Sequence, residues 1–319
     1  MAHQLEANDT MFSARGITPW HRLGTVLQDP PSIQRGLIVA GLDWDVALKD
    51  LTIQETGELV PNKAVVRADT GSLLGVVGPR FVPLQNRDAF KVFEPLVESG
   101  DITLETAGSL RDNRVVWVLG RVNRPEARQE VGNGDVVDMY VLLSHGHDGT
   151  MSVRFGTTLV RVVCNNTMAM AHSNGQSQLA RVKHTTNAVA NLESLRNALD
   201  LQLGGFNMTM ETFRKLARQS VNTRDLERFV RILITDTETP DKVPECENDI
   251  IRLFETGAGQ ELDSARGTAF GLYNAVTNYL THERGRSDTN RLYDNEFGPA
   301  KNLNNKALAL AVQMFLRAA

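Results

Sequence analysis

The sequence predicts an α+β protein, with an antiparallel β-sheet and packed helices in the N-terminal half and a mostly helical C-terminal half. Three observations predict it. Short apolar runs of period two, broken by Gly, Asp and Asn turns, fill the chain to about residue 163. From about residue 187 the apolar period becomes helical. The composition, 41% hydrophobic and 23% charged over 319 residues, is that of a folded chain with its own core.

The elements follow in order. Trp44-Asp45-Val46-Ala47-Leu48 alternates as a strand, with Asp43 and Asp45 on a solvated face and Trp44 turned inward. Ala64 to Arg67 and Leu73 to Val77 flank Asp69-Thr70-Gly71, a hairpin in which glycine tolerates positive φ. Asn86 is placed to cap a helix carrying Phe90, Phe93, Leu96 and Val97, which Pro95 kinks or shortens. Ile102 to Thr106 leads through Ser109 to Asn113 into Val115 to Leu119, a second hairpin. Residues 123–135 are polar and read as a loop. Met139 to Leu143 is a strand, and Met151 to Phe155 with Thr158 to Val163 are two strands or one long bent one. Beyond residue 187, four apolar stripes of helical spacing run through Leu192 to Leu199, Leu226 to Leu233, Ala265 to Leu280 and Leu308 to Leu316. Thr237 to Pro244, with two prolines, is a loop. The chain divides into an N-terminal arm with first strands (1–60), an α+β core (61–186) and a helical region (187–319).

Several function classes drop out. No run of about 18 apolar residues occurs, so no spanning helix and no membrane partner are expected. The first residues lack the basic and apolar regions of a signal peptide. The two cysteines, Cys164 and Cys246, form no C-x-x-C pair, and a cytoplasmic location is expected. Cys164, in the run Val162-Val163-Cys164, reads as a buried thiol. The net charge of −4 excludes a global basic footprint, so any nucleic-acid site must be local.

His145-Gly146-His147-Asp148-Gly149 follows an apolar strand, as a metal motif at a strand end does. It supplies too few ligands at metal spacing, and Asp148-Gly149 reads as the dipeptide of a hairpin turn. Gly257-Ala258-Gly259 lacks the spacing of a phosphate-binding loop and reads as a link between helices. No cofactor is expected, and no catalytic constellation is found.

The unusual stretch runs from Gly149 to Leu192: 44 residues without a single Asp or Glu. It carries Arg154, Arg161, Arg181 and Lys183, with many hydroxyl and amide side chains. Such a surface suits a phosphate backbone, because each cation neutralises a phosphate and releases counterions. Arg111 and Arg114, in or beside the second hairpin turn, are further candidates.

Six segments carry a family resemblance: Thr18-Pro19-Trp20-His21-Arg22-Leu23-Gly24-Thr25; Leu74 to Asn86 with Gly78-Pro79-Arg80-Phe81-Val82-Pro83-Leu84; Glu105-Thr106-Ala107-Gly108-Ser109-Leu110; Val160-Arg161-Val162-Val163-Cys164-Asn165-Asn166-Thr167; Arg181-Val182-Lys183-His184-Thr185; and Tyr273-Asn274-Ala275-Val276-Thr277. Together they resemble the phage- and plasmid-related family called domain of unknown function 932, over roughly residues 15–285. The resemblance implies a bacteriophage, prophage or plasmid origin. The order hairpin, helix, antiparallel strands, helix is similar to that of phage single-strand annealing proteins such as RecT and Red-beta. That likeness implies single-stranded DNA as partner, a homo-oligomeric ring or filament, and no covalent chemistry. Arg154, Arg161, Arg181 and Lys183 are then the expected phosphate contacts, with Arg111 and Arg114 behind them. Two other classes remain open at this point. One is a non-enzymatic protein-interaction factor, a host-defence inhibitor or replication regulator, using the acidic stretch Asp241 to Asp263. The other is a metal enzyme using His145, His147 and Asp148.

Overall fold

The computed structural model describes residues 10–14, 24–91, 93–151, 153–163, 166–169, 181–182, 192–239, 245–285 and 288–317. The first half opens with β1 (Met11–Ser13), β2 (Thr25–Val26) and the short helix α1 (Ile33–Val39). Then come β3 (Val46–Thr52), β4 (Leu59–Arg67) and β5 (Leu73–Val77), followed by two short helices, α2 (Asn86–Lys91) and α3 (Glu94–Glu98). Next are β6 (Ile102–Leu110), β7 (Val115–Val122), β8 (Arg128–Gly132), β9 (Asp135–Gly146), β10 (Val153–Arg161), β11 (Asn166–Met168) and β12 (Arg181–Val182). The second half is helical: α4 (Leu192–Leu216), α5 (Thr223–Thr235), α6 (Glu247–Thr256), α7 (Ala269–Asn278) with a π-helical turn at Tyr279–Glu283, α8 (Asp288–Phe297) and α9 (Pro299–Leu316). The class is α+β, as the change of apolar period requires.

The strands make two sheets. The large one runs in the order β11-β10-β9-β7-β6-β1-β2, with β12 also on β10 and β8 also on β9. Its long pairings are antiparallel. The small sheet is β3-β4-β5, so β4 crosses residue 60. Along β7 the alternation is apolar on both faces. Val116, Val118 and Val122 join the main core, with Phe206, Phe213, Phe229 and Phe270 from the helices. Val115, Trp117 and Leu119 form a smaller cluster on the other face with Met11, Leu110, Leu142 and Met151. A central strand buried on both sides has no polar face, and each buried Val or Leu contributes roughly 1.5–3 kcal/mol.

Two readings change in the structure, and one choice left open between one strand and two is decided. Residues 128–132 form a short strand on β9, whose exposed Arg128 flanks a buried Val131. The segments around Phe155 and Thr158 are one continuous strand, paired without a bulge from Arg154 to Arg161. The buried Asn86 spans two neighbours: its Nδ2 donates to the Leu42 carbonyl at 3.0 Å, and its Oδ1 lies 3.0 Å from His147 Nε2. Pro95 stands in the first turn of α3 and separates it from α2. Cys164 lies outside the described residues.

Where α8 and α9 meet the outer strands, a polar cluster is sealed in. Tyr273 donates to Asn304 Oδ1 at 2.7 Å and accepts from the Ala169 amide at 2.8 Å, while Asn304 Nδ2 reaches the Thr167 carbonyl at 2.9 Å. Glu296 is buried beside it. Burial pushes its carboxyl above the ordinary range, against the opposing pull of Lys301 and a hydrogen bond with Thr158. The folded state therefore holds this proton at pH values where the unfolded chain releases it, and stability is lost as pH rises from the ordinary carboxylate range through the raised value. Glu296→Gln removes that loss. Urea denaturation at pH 4.5 and 7.5 will show the variant gaining on the parent chain at the higher pH; an equal difference at both would contradict the assignment.

Candidate nucleic-acid interface

The acid-free stretch does not act as one surface. Arg154 and Arg161 are seven residues apart on the unbroken strand β10, and an odd separation puts them on opposite faces. They are also about 23 Å apart along it, at about 3.3 Å per residue. Arg161 faces the helices and is fully buried. Its Nε and Nη2 each donate to a carboxylate oxygen of Asp135 at 2.7 Å, and Nη2 also reaches the Gly259 carbonyl at 2.9 Å. Ser264 donates to the same carboxylate. The expectation that Arg161 contacts phosphate is corrected: this guanidinium is committed inside the protein.

The remaining candidates gather at the other end of the large sheet. Strand register places Met11, Gly108, Trp117, Ser144, Arg154 and Arg181 in one row across β1, β6, β7, β9, β10 and β12. Arg154 is half-buried, and its Nε has no hydrogen-bond partner among the described residues. Lys183 lies outside the described residues. The β6–β7 turn is at the same end. Arg111, Asp112 and Asn113 there all have left-handed φ (58°, 54° and 65°), a conformation that costs side-chain-bearing residues energy. The turn is held from inside, since Asn113 is buried and bonded to Ser109 Oγ at 3.0 Å. It throws its two arginines outward. Arg111 lies 3.7 Å over the Tyr293 ring, and the Arg114 guanidinium is exposed with no described residue paired to it.

The β4–β5 hairpin docks against this end. Gly75 passes so close to the β9–β10 turn that a Cβ would sit 2.5 Å from Asp148 Cα. Between the hairpin and the β6–β7 turn opens a cleft of about 160 Å³, with Arg67, Thr70, Ser72 and Leu73 on one side and Asp112, Asn113 and Arg114 on the other. Arg67 is braced: Nε and Nη2 hold Asp69 at 3.1 and 2.8 Å, and its guanidinium lies 4.6 Å over the Trp44 ring. The bond from Arg67 holds the Asp69 carboxyl below its ordinary range. Among the described residues, Arg67, Arg111, Arg114 and Arg154, with the strand position of Arg181, thus fall at this end together with Asp45, Asp69, Asp112 and Asp148.

Under the cleft are the two histidines of the 145–149 motif. Both are fully buried, in edge-to-face contact at 4.7 Å, with Trp44 5.3 Å from His147. Asp148 turns away to accept from the Thr150 amide and hydroxyl at 2.9 and 2.7 Å. Among the described residues no group of three His, Cys, Asp or Glu side chains could hold a metal ion. His147 bonds Asn86 through its ring, and its backbone N donates to the Arg114 carbonyl at 2.7 Å, which fixes the arginine turn. Part of the acidic stretch is also internal, since Glu247 is buried against Arg231 at 2.8 Å. Arg67, Thr70 and Ser72 were not singled out by the sequence. Its hairpin is legible, but nothing local marks where that hairpin docks.

A family model described as "Domain of unknown function (DUF932)" matches residues 73–304. No curated protein and no solved structure matches the chain. Among the described residues no helix is long and apolar enough to cross a membrane.

Asp135→Ala strands the Arg161 charge in the core and is expected to cost about 3–5 kcal/mol. Arg114→Ala, on the exposed turn, should cost less than about 0.5 kcal/mol. Urea midpoints measure both; similar losses in the two variants would contradict this placement.

Proposed function

Since the chain belongs to the DUF932 family, whose description assigns no chemistry, we propose from its own residues that it binds single-stranded DNA through the phosphate backbone and anneals strands as a homo-oligomer. The reading includes a phage or plasmid setting and needs no covalent step. The observation that carries it is the convergence of Arg154, Arg181, Arg111 and Arg114 at one sheet end, on segments separate in sequence. Binding through phosphates rather than base edges leaves the bases free to pair, which annealing requires.

The reading predicts steep salt dependence. Four phosphate contacts on a single strand give a slope of about −3 in log K against log salt. Fluorescence polarisation of labelled single- and double-stranded oligonucleotides, with mass photometry on the same samples, should show single-strand preference by an oligomer. Arg114→Glu with Arg154→Glu should weaken binding at least tenfold while the urea midpoint holds. Unchanged affinity in that double variant, or no binding by the parent chain at low salt, would overturn the proposal.

A further inference from the structure

We infer that the cleft between the β4–β5 hairpin and the β6–β7 turn seats one phosphodiester monoanion of the bound strand, gripped by Arg114 and the Ser72 hydroxyl. This rests on the nucleic-acid reading above and adds to it a defined subsite with a charge preference.

The chemistry follows from which groups are already committed. Arg67 has spent its Nε and Nη2 on Asp69, which leaves Nη1 and fixes the guanidinium over Trp44. Asp112 is itself engaged within the fold. Arg114 is exposed, and among the described residues no partner takes any of its five N–H donors. Thr70 Oγ1 donates to Ser72 Oγ at 2.9 Å, so the Ser72 proton is free to donate elsewhere. A cleft with cationic and hydroxyl donors recognises an oxyanion.

Charge and size narrow the ligand. The residues lining the cleft carry Arg67 and Arg114 against Asp112, one net positive charge. A diester monoanion balances it. A monoester dianion leaves a second charge facing Asp112. At about 160 Å³ the cleft is several times what one water needs and has room for a phosphate group. Leu73, 55% exposed, supplies an apolar contact for the sugar face.

Thermal unfolding of the parent chain in dimethyl phosphate, against sodium chloride of equal ionic strength, isolates the subsite. Dimethyl phosphate should raise the melting temperature more than inorganic phosphate at pH 8, and both Arg114→Ala and Ser72→Ala should abolish the difference. In oligonucleotide binding, Arg114→Ala should cost about five- to tenfold and reduce the salt slope by about 0.7. No shift in dimethyl phosphate, or a shift retained by both variants, overturns the subsite even where DNA still binds. A shift that the variants lose, with no oligonucleotide binding by the parent chain, overturns the assignment to a DNA strand. Phosphatidylglycerol vesicles then test whether a lipid headgroup is the carrier, and their capture in place of an oligonucleotide is a further overturning result.

Discussion

The buried pair Arg161–Asp135 is the contact around which the two halves of the chain are organised. It joins β9, β10 and the link between α6 and α7 at one point: Asp135 opens β9, Arg161 closes β10, and Gly259 and Ser264 arrive from the helical half. Taking both charges out of water is costly, and attraction offsets that cost only when every donor is used. Here the fork geometry is matched by two bonds at 2.7 Å, a carbonyl accepts a further bond from Nη2, and a hydroxyl donates to the carboxylate. Gly259 has φ +81°, and a Cβ there would lie 2.9 Å from Arg161 Nη1, so glycine is required where the helical half approaches. A pair satisfied this way specifies the register of β10 and the seat of the helices more than it adds net stability.

That register has a consequence at the far end of the sheet. With Arg161 turned to the core, strand parity turns Arg154 to the opposite face, in the row of Ser144 and Trp117. The same end carries the arginine turn, the docked hairpin and the cleft. One end of β10 thus holds a cation that serves the fold, and the other a half-buried cation whose Nε has no partner among the described residues. The histidines of the 145–149 motif belong to the scaffold under this end: His147 ties Asn86 to the sheet and fixes the carbonyl of Arg114.

Much of the fold was legible because its signals are local. Asp69-Thr70-Gly71 marks a hairpin on its own, and the change of apolar period marks where the helices begin. What was not legible depends on distant partners. Gly156-Thr157 reads equally well as a break between two strands, which would reset the parity separating Arg154 from Arg161. Val131-Gly132-Asn133-Gly134-Asp135 reads as a polar loop, yet Asp135 is fully buried, because its partners Arg161 and Ser264 lie 26 and 129 residues away. Acid depletion marks β10 but does not tell an arginine buried in the core, Arg161, from a half-buried one, Arg154. Asn86 looked like a helix cap because its residue type suits one, while its actual partners come from Leu42 and His147. At the site, Arg111 and Arg114 were visible as turn residues, whereas Arg67 and Ser72 become site residues only once the hairpin is docked.

The central claim is that a strand of DNA lies across the arginine end of the large sheet. Hydrogen–deuterium exchange of the full chain, with and without a saturating single-stranded oligonucleotide, tests it most directly. Protection confined to the hairpin around residues 67–73, the turn at 111–114 and the start of β10 at 153–155 is expected, with α6 unchanged. Protection centred on α6, or none at the arginine end in a sample shown to bind the oligonucleotide, would contradict it.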